Sequence, residues 1–198
     1  MHKLKIILAS TSKARQTLLI NAGIAFDSLP PLVNENELRR EMVSLPPQQI
    51  AVELAKAKAI SVSLVHPQAL VIGADQILEF EQKPLHKAVT VSEAKRKLKR
   101  LRGKAHHLHS SFACAKGGQI IHSQVLTATL TMRDFTDEFL KQYLEASGKD
   151  ILSAVGCYLF EGLGIQLFDK VEGDDSTILG LPLLPLLAFL RQSAIITS

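Results

Sequence analysis

The sequence predicts an α/β domain built around one mixed β-sheet. Short apolar runs alternate with helix-like stretches along the whole chain. Pro and Gly punctuate these segments with neither a fixed repeat nor a low-complexity linker. Gly117-Gly118, set between two strand-like runs, reads as a hairpin turn. At 198 residues, 46% of them hydrophobic and 21% charged, the chain is long enough to bury its own core without a disulfide or metal staple. No sharp boundary is visible, so we expect one domain over residues 1–198, in which an insertion carrying the hairpin would form a second lobe.

The elements follow in order. Leu4 to Ala9 reads as a buried strand, and Ser10-Thr11-Ser12 leads into a helix that runs to about Ala22 and is closed by Gly23. Phe26 to Leu29 reads as a second strand, broken by Pro30 and Pro31, which open an acidic loop containing Glu35 and Glu37. Pro46-Pro47 precedes a long helix over Gln48 to Leu64, with Ile50, Leu54, Ala57 and Val65 near one face. Ala69 to Ile72 is an apolar strand, followed by Gly73-Ala74-Asp75 and a continuation at Ile77 to Phe80. Thr90 with Glu93 fits a capping box for a helix whose stripe is Val91, Ala94, Leu98 and Leu101, ending at Gly103. His107 to Ala115 and Ile120 to Met132 flank the hairpin. Asp137 to Ala146 is a helix stopped by Gly148. A glycine-studded segment then leads to Pro182 and a last apolar helix ending near Arg191.

Charge and composition exclude several classes. The net charge of +4 is concentrated in one window: Lys95, Arg96, Lys97, Lys99, Arg100, Arg102 and Lys104 occur with no acid among them, and the rest of the chain is net acidic. This window is either a solvated helix face or an anion-facing surface. The longest apolar candidate, Ile178 to Leu190, carries two prolines and falls short of the roughly 20 residues of a membrane span. The apolar stretch Ile6 to Ala9 is too short for a secretory leader. We therefore expect a cytoplasmic protein with no membrane partner, in which Cys114 and Cys157 are reduced core thiols.

Candidate chemistry begins at the first strand–helix junction. A helix N-terminus offers free amide groups and partial positive charge, the Ser10 and Ser12 hydroxyls add donors, and Arg15 falls on the first turn, where a guanidinium can grip phosphate oxygens bidentately. Alternatively, Ser12 simply caps the helix and Arg15 is solvated. No Walker glycines are present. Asp75 sits at the expected carboxyl end of an apolar strand, where ligands bind open α/β sheets. There it could hold a divalent metal or take a proton from water, or it could be a turn aspartate. Glu35 is a hard oxygen ligand able to share a metal with Asp75. Lys58 and Lys83 read singly as solvent lysines. His107 and His109 would share one strand face and His106 the other, but no cysteine lies nearby to complete a zinc site. Nor is there a G-x-S-x-G elbow for a hydrolytic serine.

Taken together, the motifs resemble those of the Maf family of nucleotide pyrophosphatases. Leu8-Ala9-Ser10-Thr11-Ser12-Lys13-Ala14-Arg15-Gln16-Thr17-Leu18-Leu19 is similar to the family's L-A-S-x-S-x-x-R-x-x-L-L. Val33-Asn34-Glu35 stands where the family has V-D-E, and Leu54-Ala55-Lys56-Ala57-Lys58-Ala59 where it has L-A-x-x-K-A. Gly73-Ala74-Asp75 matches G-A-D and Lys83-Pro84 the later K-P. Glu161-Gly162-Leu163-Gly164 and Gly180-Leu181-Pro182-Leu183 complete the order near the end of the chain.

The resemblance implies an elongated mixed sheet with flanking helices and two lobes around a central cleft, a Maf/ITPase-like fold that is often homodimeric. It implies hydrolysis of a nucleoside triphosphate, non-standard or modified, to the monophosphate and pyrophosphate with Mg²⁺ or Mn²⁺. By position, Asp75 would be the proton acceptor, Glu35 and Asp75 the metal-site acids, and Ser10, Ser12, Arg15, Lys58 and Lys83 the phosphate contacts or positioning groups. Glu161 lies in the segment linked to base choice, and with Gln76 it resembles the subgroup acting on 7-methyl-GTP.

Three departures stand out. Ala14 replaces an arginine, Asn34 an aspartate, and Phe160-Glu161-Gly162 the frequent I-Q-G. They motivate a rival reading, a catalytically weak nucleotide- or RNA-binding regulator using the basic helix. For the enzyme, no nucleic-acid partner is expected.

Overall fold

The computed structural model describes residues 4–197, and its elements are those of a mixed α/β protein. Among the described residues, strands β1 (Ile6–Ala9), β2 (Asp27–Leu29), β3 (Leu70–Phe80), β4 (Lys83–Leu85), β5 (Ala105–Lys116), β6 (Gln119–Met132) and β7 (Phe168–Glu172) form one sheet in the order β2-β1-β3-β5-β6-β7, with β4 paired to β3 off that path. β1 runs parallel to β2 and β3, whereas β4 is antiparallel to β3 and β7 to β6. The helices are α1 (Lys13–Asn21), α2 (Glu35–Glu41), α3 (Pro47–Val65), α4 (Val91–Leu101), α5 (Asp137–Ser147), α6 (Asp175–Ile178) and α7 (Leu183–Gln192). The chain divides into two compact units. The first is Met1–Gln76 with His109–Leu126 and Asp174–Ser198, and the second is Ile77–Leu108 with Thr127–Gly173.

In the first unit, side-chain alternation along β1 and β3 sorts the core into two faces. Ile6, Leu8, Leu70, Ile72 and Ala74 join Leu19, Leu186 and Leu190 in one cluster, so the even-numbered residues face α1 and α7. Ile7, Ala9 and Val71 join Val62, so the odd-numbered residues face α3. Both faces are covered, which is why the strands read as unbroken apolar runs. Gly73 is the next odd residue. A Cβ there would lie 2.2 Å from the Ala55 carbonyl oxygen and 2.5 Å from the Ala59 nitrogen, both backbone atoms of α3. Glycine at 73 is thus what lets α3 press onto β3.

The buried stripe of α3 is Ile50, Ala51, Leu54, Ala55, Lys58, Ala59 and Val62. This corrects the expected face: Ile50 and Leu54 belong to it, but Ala57 is only half-buried and Val65 is exposed. The stripe advances in steps of four and passes through a lysine, which a search for apolar residues steps over.

Other elements also differ from expectation. The acidic loop after Pro31 contains helix α2, whose start is capped by Asn34 Oδ1 accepting from the Glu37 amide at 3.3 Å. Glu35 and Glu37 in its first turn and Arg39 and Arg40 in its last suit the helix dipole. Asp75 lies within β3, five residues before its end, and not at a carboxyl terminus. β4 is set off by a turn in which Glu81 and Gln82 both have positive φ, 53° and 61°. The glycine-studded segment holds β7, α6 and single turns of 3₁₀ helix at Asp150–Ser153 and Leu163–Leu167. The Gly117-Gly118 hairpin is as expected, with φ of 55° and 81°, values that the primed turns of hairpins require.

In the second unit, α4 begins as its sequence predicts. Thr90 Oγ1 accepts from the Glu93 amide, and the Glu93 carboxylate accepts from the Val89 amide at 2.8 Å. Ala94, Leu98 and Leu101 are buried. Much of the basic window is bound within the unit. Lys99 and Arg102 contact Asp137 at 2.7 and 2.8 Å, Lys104 and Arg100 contact Glu81 at 3.4 and 3.7 Å, and Lys97 donates to the carbonyls of His86 and Val155.

Of the clustered histidines, His106 has Nε2 2.7 Å from the Tyr158 hydroxyl, and burial, aided by the neighbouring His107, pushes its pKa down to about 4. His107 Nδ1 lies 3.0 Å from Thr129 Oγ1. No helix among the described residues is long and apolar enough to cross a membrane.

Candidate active site

The odd face of β3 continues from Val71 and Gly73 to Asp75, and the stripe of α3 continues from Leu54 to Lys58. The contact at Gly73 therefore brings these two side chains together. Lys58 Nζ donates to Asp75 Oδ1 at 2.7 Å, and both residues are about 5% exposed or less. Asn34, by capping α2, sets Glu35 at its first position and Arg39 one turn on. Both reach the same place: Glu35 Oε2 is 2.9 Å from Lys58 Nζ and 3.8 Å from Arg39 Nη2, and Arg39 Nη2 donates to Asp75 Oδ2 at 3.1 Å. Two acids and two cations, from three elements, thus form one network. A buried lysine with two carboxylate partners is stable where an unpaired one would not be.

The β1–α1 junction is tied to the neighbouring residue of β3. Arg15 donates from Nη1 to the Ala74 carbonyl at 2.9 Å and to Ser10 Oγ at 3.3 Å, and from Nε to the Gly180 carbonyl at 2.8 Å. Of its five N–H donors, the two on Nη2 make no hydrogen bond among the described residues. Burial pushes the Arg15 guanidinium down from its ordinary pKa, while Asp75 and Glu35 oppose that shift. Ser10 is buried and also accepts from the Ser12 amide at 3.2 Å. Ser12 stands at the N-cap of α1 without a side-chain cap bond, so its hydroxyl is not spent on the helix. Gln76, on the opposite face from Asp75, donates to Ser110 Oγ and to the carbonyls of Thr177 and Ile178 at 2.9–3.1 Å.

The loop that supplies the Gly180 carbonyl is held by Asp174. Its carboxylate accepts from the Ser176 hydroxyl, from the Thr177 hydroxyl at 2.6 Å and from the Thr177 amide at 2.9 Å. Burial acts to raise the Asp174 pKa, but these hydrogen bonds outweigh it and hold the group below the ordinary carboxylate value of 3.8. A depressed carboxylate contributes stability that is complete above 3.8 and is lost as pH falls through the lower folded value. Asp174→Ala is expected to cost about 1 kcal/mol, as loss of a helix cap does. Thermal melts from pH 7 to pH 3 should show the gap between variant and parent narrowing below pH 4.

Asp75 and Glu35 thus meet through Lys58, and Ser10, Ser12 and Arg15 form a second group joined to Ala74. Lys83, at the start of β4, and Glu161 belong to the second unit, where both are exposed. Arg39 was not anticipated. The available signal was its i,i+4 spacing from Glu35, visible only if residues 35–41 are read as a helix. Among the described residues no three His, Cys, Asp or Glu side chains converge. Glu35 and Asp75 are the two carboxylates of the network, and both contact Lys58.

A family model described as Maf-like protein matches residues 5–193. The nucleoside triphosphate pyrophosphatase of Granulibacter bethesdensis is 45% identical over 196 residues, covering 98% of this chain and 100% of the relative. That of Caulobacter vibrioides is 45% identical over 194 residues, covering 97% of each chain. Among solved structures, a HAM1 protein from Coxiella burnetii is 16% identical and aligns with a TM-score of 0.40 over 67% of this chain and 74% of that one.

Proposed function

Since the chain belongs to the Maf-like protein family, we propose that it hydrolyses a nucleoside triphosphate to the monophosphate and pyrophosphate. The observation that carries the reading is a buried carboxylate, Asp75, paired with Lys58 and Arg39 one residue beyond the carbonyl that holds Arg15. In this reading Asp75 accepts a proton from water as the water oxygen attacks the α-phosphorus. The bond from that phosphorus to the bridging oxygen breaks, and pyrophosphate leaves. Lys58, the Nη2 hydrogens of Arg15 and the hydroxyls of Ser10 and Ser12 orient the phosphates and stabilise the charge that develops.

Glu35 and Asp75 fit a hard divalent cation, Mg²⁺ or Mn²⁺, because their oxygens already converge on one positive centre, Lys58 Nζ, at 2.9 and 2.7 Å. Such a cation would neutralise charge on the triphosphate. We take the substrate to be a non-standard or modified triphosphate. We take the chain to act in the cytoplasm as one domain over 1–198.

The test is a screen of standard and modified triphosphates with Mg²⁺ or Mn²⁺, reading pyrophosphate and orthophosphate separately. Pyrophosphate release from at least one substrate, stopped by a chelator, is the expected result. Orthophosphate release alone, or no turnover across the panel, overturns the reading.

A further inference from the structure

Arg15 and Arg39 both stand beside Asp75, but they are held in opposite ways. Arg15 uses Nε and Nη1 on three protein oxygens. Arg39 reaches Asp75 and Glu35 through Nη2 alone, the Glu35 contact being long at 3.8 Å. Its helix is two turns long and contributes no buried residue to the core, so little packing holds α2 in place.

The exposures are graded. The side chains of Lys58 and Asp75 are 6% and 5% exposed, whereas that of Arg39 is 23% exposed. Lys58 engages Oδ1, and Arg39, the more exposed of the two cations, engages Oδ2. A carboxylate accepts a proton from water only where water can come within hydrogen-bond reach, and Oδ2 is the oxygen covered by the more exposed cation, Arg39.

We propose that Arg39 is an exchangeable phosphate ligand that covers Asp75 in the free protein and transfers to the polyphosphate chain when substrate binds, uncovering Oδ2. The inference rests on the activity proposed above and adds a residue and a motion to it. A triphosphate is a stronger partner for a guanidinium than one shared carboxylate oxygen, because two N–H groups can engage it at once. The exchange keeps Arg39 paired in both states, so no charge is stranded at either end. Glu35, one turn earlier on α2, would move with it.

The test compares Arg39→Ala, Arg39→Lys and, as a control, Arg40→Ala, the exposed neighbour on α2. Kinetics use the best triphosphate from the screen, and inorganic tripolyphosphate serves as a base-free competitor. Arg39→Ala is expected to raise KM and the tripolyphosphate inhibition constant by about 10-fold or more, the effect of losing a hydrogen bond to a charged group, with kcat within about 3-fold. Arg39→Lys should recover part of the loss, and Arg40→Ala should match the parent. Amide exchange across Glu35–Glu41 should change on adding tripolyphosphate to the parent but not to Arg39→Ala.

Unchanged KM, a loss confined to kcat, or tripolyphosphate-independent exchange in the parent would each overturn the proposal. An inactive parent whose α2 exchange still responds to tripolyphosphate would instead count against the hydrolysis reading and leave the Arg39 exchange standing.

Discussion

Asp75→Asn is expected to lower pyrophosphate release by about 10²–10⁴-fold, the range over which a positioned proton acceptor acts. The amide has the shape of the carboxylate, and its oxygen can still accept from Lys58. Glu35 keeps its own contact with Lys58 at 2.9 Å, so the lysine retains a negative partner. Fold and melting temperature should therefore change little, and triphosphate should still bind. The measurement is kcat from a coupled pyrophosphate assay beside a thermal melt. An Asn variant with full activity would remove Asp75 from the proton-accepting role whatever else holds.

Gly73→Ala is expected to have the largest effect on stability. The added methyl would stand 2.2 and 2.5 Å from backbone atoms of α3 and 2.9 Å from the Ala59 Cβ. No side chain can rotate out of the way, so the helix must back off the strand. Overpacking of this kind costs about 1–3 kcal/mol or more, and contact with backbone puts this site at the upper end. For a chain of this size, about 3 kcal/mol is a fall of roughly 6–12 °C in melting temperature. Activity should fall as well, because the same displacement lifts Lys58 away from Asp75. A variant that melts like the parent would mean that α3 and β3 are not in the contact described.

Much of this was legible in the sequence where local chemistry decides the outcome. The Thr90–Glu93 cap, the Gly117-Gly118 turn and the stops at Gly23 and Gly148 are local signals, and the structure contains each. Asp75, Lys58 and Glu35 each stand out in the sequence as candidates, although separately they read equally as a turn acid, a solvent lysine and a loop acid. Only the odd-face register of β3 and the four-residue stripe of α3 bring them together, and that depends on a tertiary approach through Gly73.

What stayed hidden has specific causes. α2 has a single apolar residue, Leu38, and buries nothing, so no hydrophobic period marks it. β4 follows a turn of Glu and Gln, with none of the glycine or asparagine that usually signals positive φ. Asn34 stands where the family has an aspartate, and its side chain serves as a helix cap, a role that aspartate and asparagine share. Arg15 reads in the sequence as a free fork, but its Nε and Nη1 are engaged by the Ser10 hydroxyl and by the carbonyls of Ala74 and, far along the chain, Gly180.

That clamping of Arg15 has a thermodynamic consequence. A long cationic side chain usually surrenders about 1.5–2 kcal/mol of rotamer entropy when it first becomes ordered. For Arg15 that loss falls in folding, since Gly180, Ala74 and Ser10 already fix it. An anion bound there as proposed would meet two hydrogens at rest on Nη2, and the entropic penalty of its capture would be correspondingly smaller.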